Sequence, residues 1–502
     1  MTRSFFLFLL ITTSISCKTT FAQLTDKQID TAAISSITDF REMLSIPNDA
    51  NDVDDIKKNI SWCNAELEKR GFSTEEWETP TRPQLFASKM QSSDLPTVLF
   101  YFHLDGQSVD PQFWFQDDPY QAVLKKRVEG EGWVDLSWDE LTQETYDPDW
   151  YLFARSASDS KNNFMSFLVA WDLLGERLPP YNLKLILDFE EEKSSPSLPA
   201  MVVDHRDALA ADMLVIYDGP RHLSNKPTLS FGARGISSVT LTTYGPVFAQ
   251  HSGHYGNYAP NPALRLSKLL ASMKDEGGRV VIPGFYDGID IDEETAAILD
   301  AVPDDERVIK AKLGIVQSDK VATSYQRALQ YPSLNIRGMS SGWVGPEART
   351  IVPASATAEI DIRLVKESDP DRLISLVRQH IEDEGYHVID RKPTQRERLT
   401  HDKICRMNAR VSYQAFRTDF DTEVGRWLTR AMTSAFGEEP VRHRTSGGSI
   451  PISPFVETLG VPAVSIPMAN RDNNQHSPNE NIRLGNYVEG VKTIYYVLST
   501  KI

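Results

Sequence analysis

Cysteine is scarce in this chain: three residues in 502, at Cys17, Cys63 and Cys405. That excludes a disulfide scaffold and a cysteine-built zinc site, so any metal must sit on histidine and carboxylate groups. Positive charge is short as well. Lys and Arg number 53 against 70 Asp and Glu, for a formal net charge of -17. This balance argues against nucleic acid as a partner, which needs a basic surface, and fits a solvated acidic one. Long apolar runs are missing too, so no membrane span is expected. The one apolar run near the start, Phe5 to Ile11, is too short to span and follows Arg3. With Thr20-Phe21-Ala22 before Gln23 it reads as an export signal over residues 1–22, which places the protein in the periplasm or outside the cell. Lipoprotein processing at Cys17 ranks second, because Ser14 stands where such signals carry an aliphatic residue.

What is present is a globular composition, 40% hydrophobic and 25% charged, in a chain too long for one ordinary core. Two domains of unequal size are expected. Ile29 to Leu44, Asp54 to Lys69 and Asn162 to Leu174 have helical spacing, and Gly71 should end the second. Four continuous apolar runs read as strands buried on both faces: Thr97 to Phe102, Leu183 to Phe189, Met213 to Tyr217 and Val461 to Pro467. Strands alternating with helices predict an α/β fold with a mostly parallel sheet covered by helices. Gly235 to Tyr244 and Ala358 to Val365 alternate instead, as strands with one exposed face do. Helices over Pro262 to Lys274 and Asp369 to Glu384, with Gly277 and Gly385 as their stops, lie in the same region. This predicts a smaller α+β domain, residues 226–412, inserted between two parts of the larger one, 23–225 and 413–502.

His103 and Asp105 follow the first buried strand at once. Glu190, Glu191 and Glu192 follow the second, Asp218 the third, and His476 lies beyond the fourth; Asp159 precedes the helix near Asn162. Each alone is an ordinary loop or turn residue. In open α/β sheets, however, ligands bind beyond the carboxyl ends of the strands, so these segments aim at one rim. Crowded carboxylates repel one another and a cation relieves that, and two histidines with three carboxylates suit zinc, or manganese. Asp105 is placed to orient a metal-bound His103. Of adjacent Glu191 and Glu192, one can bind metal while the other acts as a base.

At these residues the sequence resembles the two-zinc peptidases that include carnosine dipeptidases, aminoacylases and glutamate carboxypeptidases, the carnosine dipeptidase branch above all. The segments that carry the resemblance are FHLDGQ (102–107), SASDSKNN (156–163), FEEEKSS (189–195), YDG (217–219), RG (234–235), HSGHYGN (251–257), ARTIVP (348–353), DIRLV (361–365), GGSIP (447–451) and HSPNENI (476–482). The resemblance implies that His103 and Asp218 bind one metal ion, Glu192 and His476 the other, and that Asp159 bridges them. It implies Glu191 as the general base and acid for a metal-bound water, and His251 as a lid histidine that stabilises the oxyanion from a partner subunit. Arg363, Ser449 and the backbone at Gly448 would hold the substrate carboxylate, with Thr350 near the substrate. Arg234 is expected to anchor the domain junction. A homodimer built by the inserted domain and a cis bond between Asp159 and Ser160 are implied too. Ser158, Asn162, Ser194 and Asn257 stand where the family often has glycine.

The expected function is a secreted metallopeptidase that cleaves dipeptides or short peptides with two divalent ions, zinc or else manganese. An N-acyl-amino-acid amidohydrolase using the same site is the nearest alternative. A metal-dependent peptide-binding protein without catalysis is the alternative of another class, and the adjacent Glu191 argues against it.

Overall fold

The computed structural model describes residues 24–142, 146–448 and 450–502. The export signal expected over residues 1–22 and the substrate contact expected at Ser449 lie outside the described residues.

The four apolar runs are neighbours in one sheet. Asn182–Asp188, Thr97–His103, Met213–Ile216 and Ala463–Ser465 lie side by side in that order, all parallel. Their side chains are buried on both faces, which is why they read as unbroken apolar stretches. Gln84–Lys89 and Ser73–Trp77 extend the sheet antiparallel on one side. On the other, Thr228–Ser230 joins through an antiparallel bridge and pairs in parallel with Val441–His443. The sheet is therefore mixed at its edges and parallel at its centre.

Helix Lys161–Leu174 is buried along nearly its whole length. It crosses the C-terminal helix Leu484–Ser499 closely: a Cβ on Gly490 would sit 3.2 Å from the Ser166 hydroxyl. Under the strand that ends in His103, Phe102 stacks on Tyr217 at 5.0 Å and meets Phe164 edge-on at 5.7 Å. Rings buried this fully contribute about 2–3 kcal/mol each, so the strand end is firmly seated. The helix expected over Ile29 to Leu44 is two, Asp26–Ser35 and Ile37–Leu44. They meet at Ser36, whose hydroxyl bonds the Ala33 carbonyl and the Tyr487 hydroxyl. A four-stranded antiparallel sheet, which the hydropathy pattern does not announce, runs Asn481–Arg483, Trp150–Phe153, Val123–Val128, Gly132–Leu136. It pairs Asn481 with Phe153 and so lays the segment after His476 beside the one before Asp159.

The inserted domain is a five-stranded sheet in the order Ser333–Ser340, Ser355–Leu364, Gly235–Tyr244, Ile404–Tyr413, His387–Ile389. Helices Pro262–Ser272 and Pro370–Asp383 contribute Leu266, Leu269, Leu373 and Val377 to the core on one face of it. Thr228–Ser230 still belongs to the large sheet, so the chain enters this domain between Ser230 and Gly235 rather than near 225, and it leaves at Tyr413. Gly385, at φ +83, closes its helix as expected: its own N–H reaches Glu382 O and the Tyr386 N–H reaches Ile381 O. Gly277 does not close one. It sits in a turn capped by the Asp275 carboxylate, where Gly278 takes the positive φ of 80. Cys63 and Cys405 are free and belong to separate cores.

Candidate functional site

His103 is the last residue of its strand and lies in register with Asp188 at the end of the next. Asp218 follows Met213–Ile216, and Glu191 and Glu192 open a short turn after Asn182–Asp188. His103 and Asp159 are buried, Glu192 and Asp218 partly so, and His476 is exposed at φ +60. Two ligand groups result, His103–Asp159–Asp218 and Asp159–Glu192–His476, each with its donor atoms within 4.8 Å of one another. Asp159 is common to both and uses a different oxygen in each. Its Oδ1 is 3.1 Å from His103 Nε2, and its Oδ2 is 3.2 Å from His476 Nε2. His103 Nε2 lies 3.3 Å from Asp218 Oδ1, and His476 Nε2 lies 3.2 Å from Glu192 Oε2. All five residues singled out as ligands are thus brought together, and the bond from Asp159 to Ser160 is cis.

The electrostatics fit two cations. Burial, with Asp159 beside it, pushes the Glu192 carboxyl up to about 8. Burial also raises Glu191 well above its ordinary value, with Asp218 and Glu192 adding to it against His103. For Asp159 burial acts upward, but hydrogen bonds with His103 and His476 outweigh it and hold the carboxyl below the usual range. Its bond to Asp159 lifts His476 to about 9. Divalent ions would offset carboxylates crowded in so poorly solvated a place. His and carboxylate donors with a shared aspartate suit zinc or manganese.

Asp105 is fully buried, but its strongest bonds are not to His103. It stands 3.7 Å from His103 Nδ1, beyond hydrogen-bond length, while its two oxygens accept the backbone N–H groups of Glu191 at 3.0 Å and Glu192 at 2.9 Å. It therefore fixes the glutamate turn as well as facing the imidazole. Ser194 closes that turn in the left-handed region at φ 71, which explains why glycine is common in that place.

Three polar residues in or next to the same motifs complete the surroundings. Glu480 is fully buried and accepts from Ser156 N, Ser158 N, Ser158 Oγ and Asp159 N at 3.0, 2.9, 2.9 and 2.8 Å, while pairing with Arg155 at 2.6 Å. Gln107 donates to Glu192 at 2.8 Å, and Gln475 to Asp159 at 3.2 Å. Gln107 and Glu480 lie inside FHLDGQ and HSPNENI, but the partners that give Glu480 its role are more than 320 residues away in sequence.

The lid residues fall in two places. His251 is exposed at the far end of the lid, where its Nδ1 accepts the Gly253 N–H at 3.0 Å. Its strand Gln250–His251 pairs with Ile351–Val352, and the Thr350 carbonyl accepts the Ser252 N–H. His251 and Thr350 are therefore neighbours, and the described contacts of neither include the five ligand residues. Arg363 lies at the other end of the strand, paired with Ile236 next to the junction and 3.7 Å from the Asp361 carboxylate. Ser355 is in register with Tyr244 at the far end, so the two ends are about 26 Å apart at 3.3 Å per residue. Gly448 accepts the Arg234 N–H at 3.2 Å, and Arg234 itself donates to Tyr331 O at 2.6 Å. Arg234 thus anchors the junction, with Gly448 beside it.

Residues 231–388 match the peptidase dimerisation domain family. The chain is 27% identical over 421 residues to human Beta-Ala-His dipeptidase, covering 82% of this chain and 76% of the relative. It is 26% identical over 407 residues to a Cys-Gly metallodipeptidase of Candida albicans, covering 79% and 77%. Among solved structures it is similar to an M20 family metallo-carboxypeptidase from Sulfolobus solfataricus, with a TM-score of 0.74 and 26% identity over 92% of this chain and 98% of that one. With a match to that dimerisation domain inserted beside a rim that joins two ligand groups through one aspartate, the chain is similar in sequence and fold to M20 family peptidases.

Proposed function

We propose that the protein is a secreted dipeptidase that uses two divalent ions, zinc by donor chemistry, held by His103, Asp218, Glu192, His476 and a bridging Asp159. The observation that carries this reading is Glu191. It belongs to neither ligand group, yet burial and its carboxylate neighbours hold its proton affinity high beside both. Pure metal or peptide binding has no use for such a group. Ions bound there would polarise the scissile carbonyl and favour ionisation of the attacking water. Glu191, kept in place by Asp105 through its backbone N–H, takes the proton of that water and delivers it to the leaving amine. Arg363 and the Gly448 backbone grip the peptide carboxylate.

The partner subunit's His251 stabilises the oxyanion in this proposal, because within one chain His251 and Arg363 stand at opposite ends of the lid strands. Val247, Phe248, Trp343 and Val344 are exposed apolar side chains of the lid, as a homodimer interface requires. Export, with cleavage before Gln23, remains our reading of Phe5 to Ile11; N-terminal sequencing of the mature protein checks it.

The test is Glu191→Gln in zinc-loaded protein against unmodified dipeptides and N-acyl amino acids. Metal content should stay at two ions while dipeptide turnover falls by about 10³-fold or more. Near-normal turnover by the variant refutes the role of Glu191. Turnover of N-acyl amino acids alone refutes the substrate class.

A further inference from the structure

The lid carries a long connection between helix Pro262–Ser272 and strand Ser333–Ser340, and this connection is tied to the catalytic domain. Asp304 accepts from His222 Nε2 at 2.9 Å and from Gln326 at 2.8 Å. His222 Nδ1 accepts the Ser224 N–H, so Nε2 carries the proton. Gln330 accepts from Arg444 at 2.8 Å, and Tyr331 O from Arg234. His222 follows shortly after Asp218, and Arg444 shortly precedes Gly448. The connection is therefore seated on two loops that lead into the site.

Between these anchors lies the short helix Tyr325–Ala328. The Tyr325 hydroxyl is 3.8 Å from where a Cβ on Gly447 would lie, whereas a Cβ on Gly448 would meet nothing within 4 Å. The phenol thus borders the glycine turn on one side of an open space. Tyr325 is 39% exposed, and its hydroxyl has no hydrogen-bond partner among the described residues. Arg234 completes the surroundings. It is buried, its Nε lacks a partner, and burial followed by the charge of Arg363 pushes it down to about 10. Arg234 is within electrostatic reach of both Arg363 and Tyr325, and its backbone N–H bonds the Gly448 carbonyl.

We propose that Tyr325 is a specificity-determining residue: its hydroxyl donates to the free α-carboxylate of the substrate's C-terminal residue, and its ring limits the bulk of that residue. This rests on the reading that Arg363 and Gly448 hold the same carboxylate. A hydrogen bond to a charged group that water only partly replaces is worth about tenfold in affinity.

The experiment compares wild type with Tyr325→Phe in the zinc-loaded enzyme, using alanyl-alanine and its C-terminal amide. KM for the free acid should rise about tenfold with kcat within about twofold, while kcat/KM for the amide stays unchanged. Tyr325→Ala should also raise the relative rate on a dipeptide ending in tryptophan. An unchanged KM for the acid, or an equal loss on acid and amide, overturns the proposal. If wild type cleaves no dipeptide, the functional reading has failed, and calorimetric binding of intact alanyl-alanine then decides for Tyr325. Binding about tenfold weaker to Tyr325→Phe supports the proposal, and equal affinity refutes it.

Discussion

Replacing Glu480 with glutamine tests how the bridging aspartate is held. In the wild type, Glu480 Oε1 accepts from Ser158 N, Ser158 Oγ and Asp159 N, and Oε2 accepts from Ser156 N and Arg155. The amide can keep its oxygen at the Oε1 position. Its NH₂ then faces two donors, Ser156 N–H and the Arg155 guanidinium. Arg155 is buried, so its charge loses its carboxylate in a place that water reaches poorly. Breaking a buried pair from one side costs about 3–5 kcal/mol, a large share of the roughly 5–15 kcal/mol of a typical fold. Urea unfolding of the metal-free variant should show that loss. Because the same residue fixes the backbone of Asp159, metal affinity should also fall by about 10- to 100-fold, read by competition with a chelating dye. A Glu480→Gln protein within about 1 kcal/mol of wild type and with unchanged metal affinity would refute the argument.

Chelation of the metals should abolish dipeptide turnover, and zinc or manganese should restore it; activity that survives complete metal removal contradicts the site. His443 supplies a pH test. Burial, then the neighbouring His222, pushes its imidazole down to about 4. The unfolded chain takes up that proton near pH 6.5, so stability contributed by neutral His443 is full above that value and is lost as pH falls towards 4, by up to about 3 kcal/mol. Unfolding curves from pH 7 to 4 should be flatter for His443→Gln than for wild type, and parallel curves refute the assignment. Phe102→Ala should cost about 3–5 kcal/mol by emptying the space between Tyr217 and Phe164, measured by denaturant unfolding.

The central strands were legible because burial on both faces leaves a continuous apolar signature, as in Thr97–His103. His103, Asp218 and the glutamate triplet were legible because they stand at strand ends. The flanking antiparallel sheet was not. Its hairpin has a readable turn at Gly130 and Gly132, but its pairing of Phe153 with Asn481 is far from local in sequence. Glu480 was hidden for the same reason, since its partners at Ser156–Asp159 become neighbours only through that pairing. Asp105 read as a partner of His103 because spacing reveals proximity along the chain, while the glutamate N–H groups it also binds come from another strand end. The break at Ser36 was invisible because it depends on the Tyr487 hydroxyl.

The placement of Glu480 and His476 also sets an order of events. A chain emerging from the ribosome presents His103, Asp159, Glu192 and Asp218 first, then the whole lid, and only then the segment that bears His476 and Glu480. Until Asn481–Arg483 pairs with Trp150–Phe153, the Asp159 loop has no acceptor for its N–H groups and the second ligand group lacks its histidine. The hydrolytic centre therefore cannot mature before the lid has been synthesised and the last segment has returned to the first. Chains that end before His476 carry only the first of the two ligand groups complete.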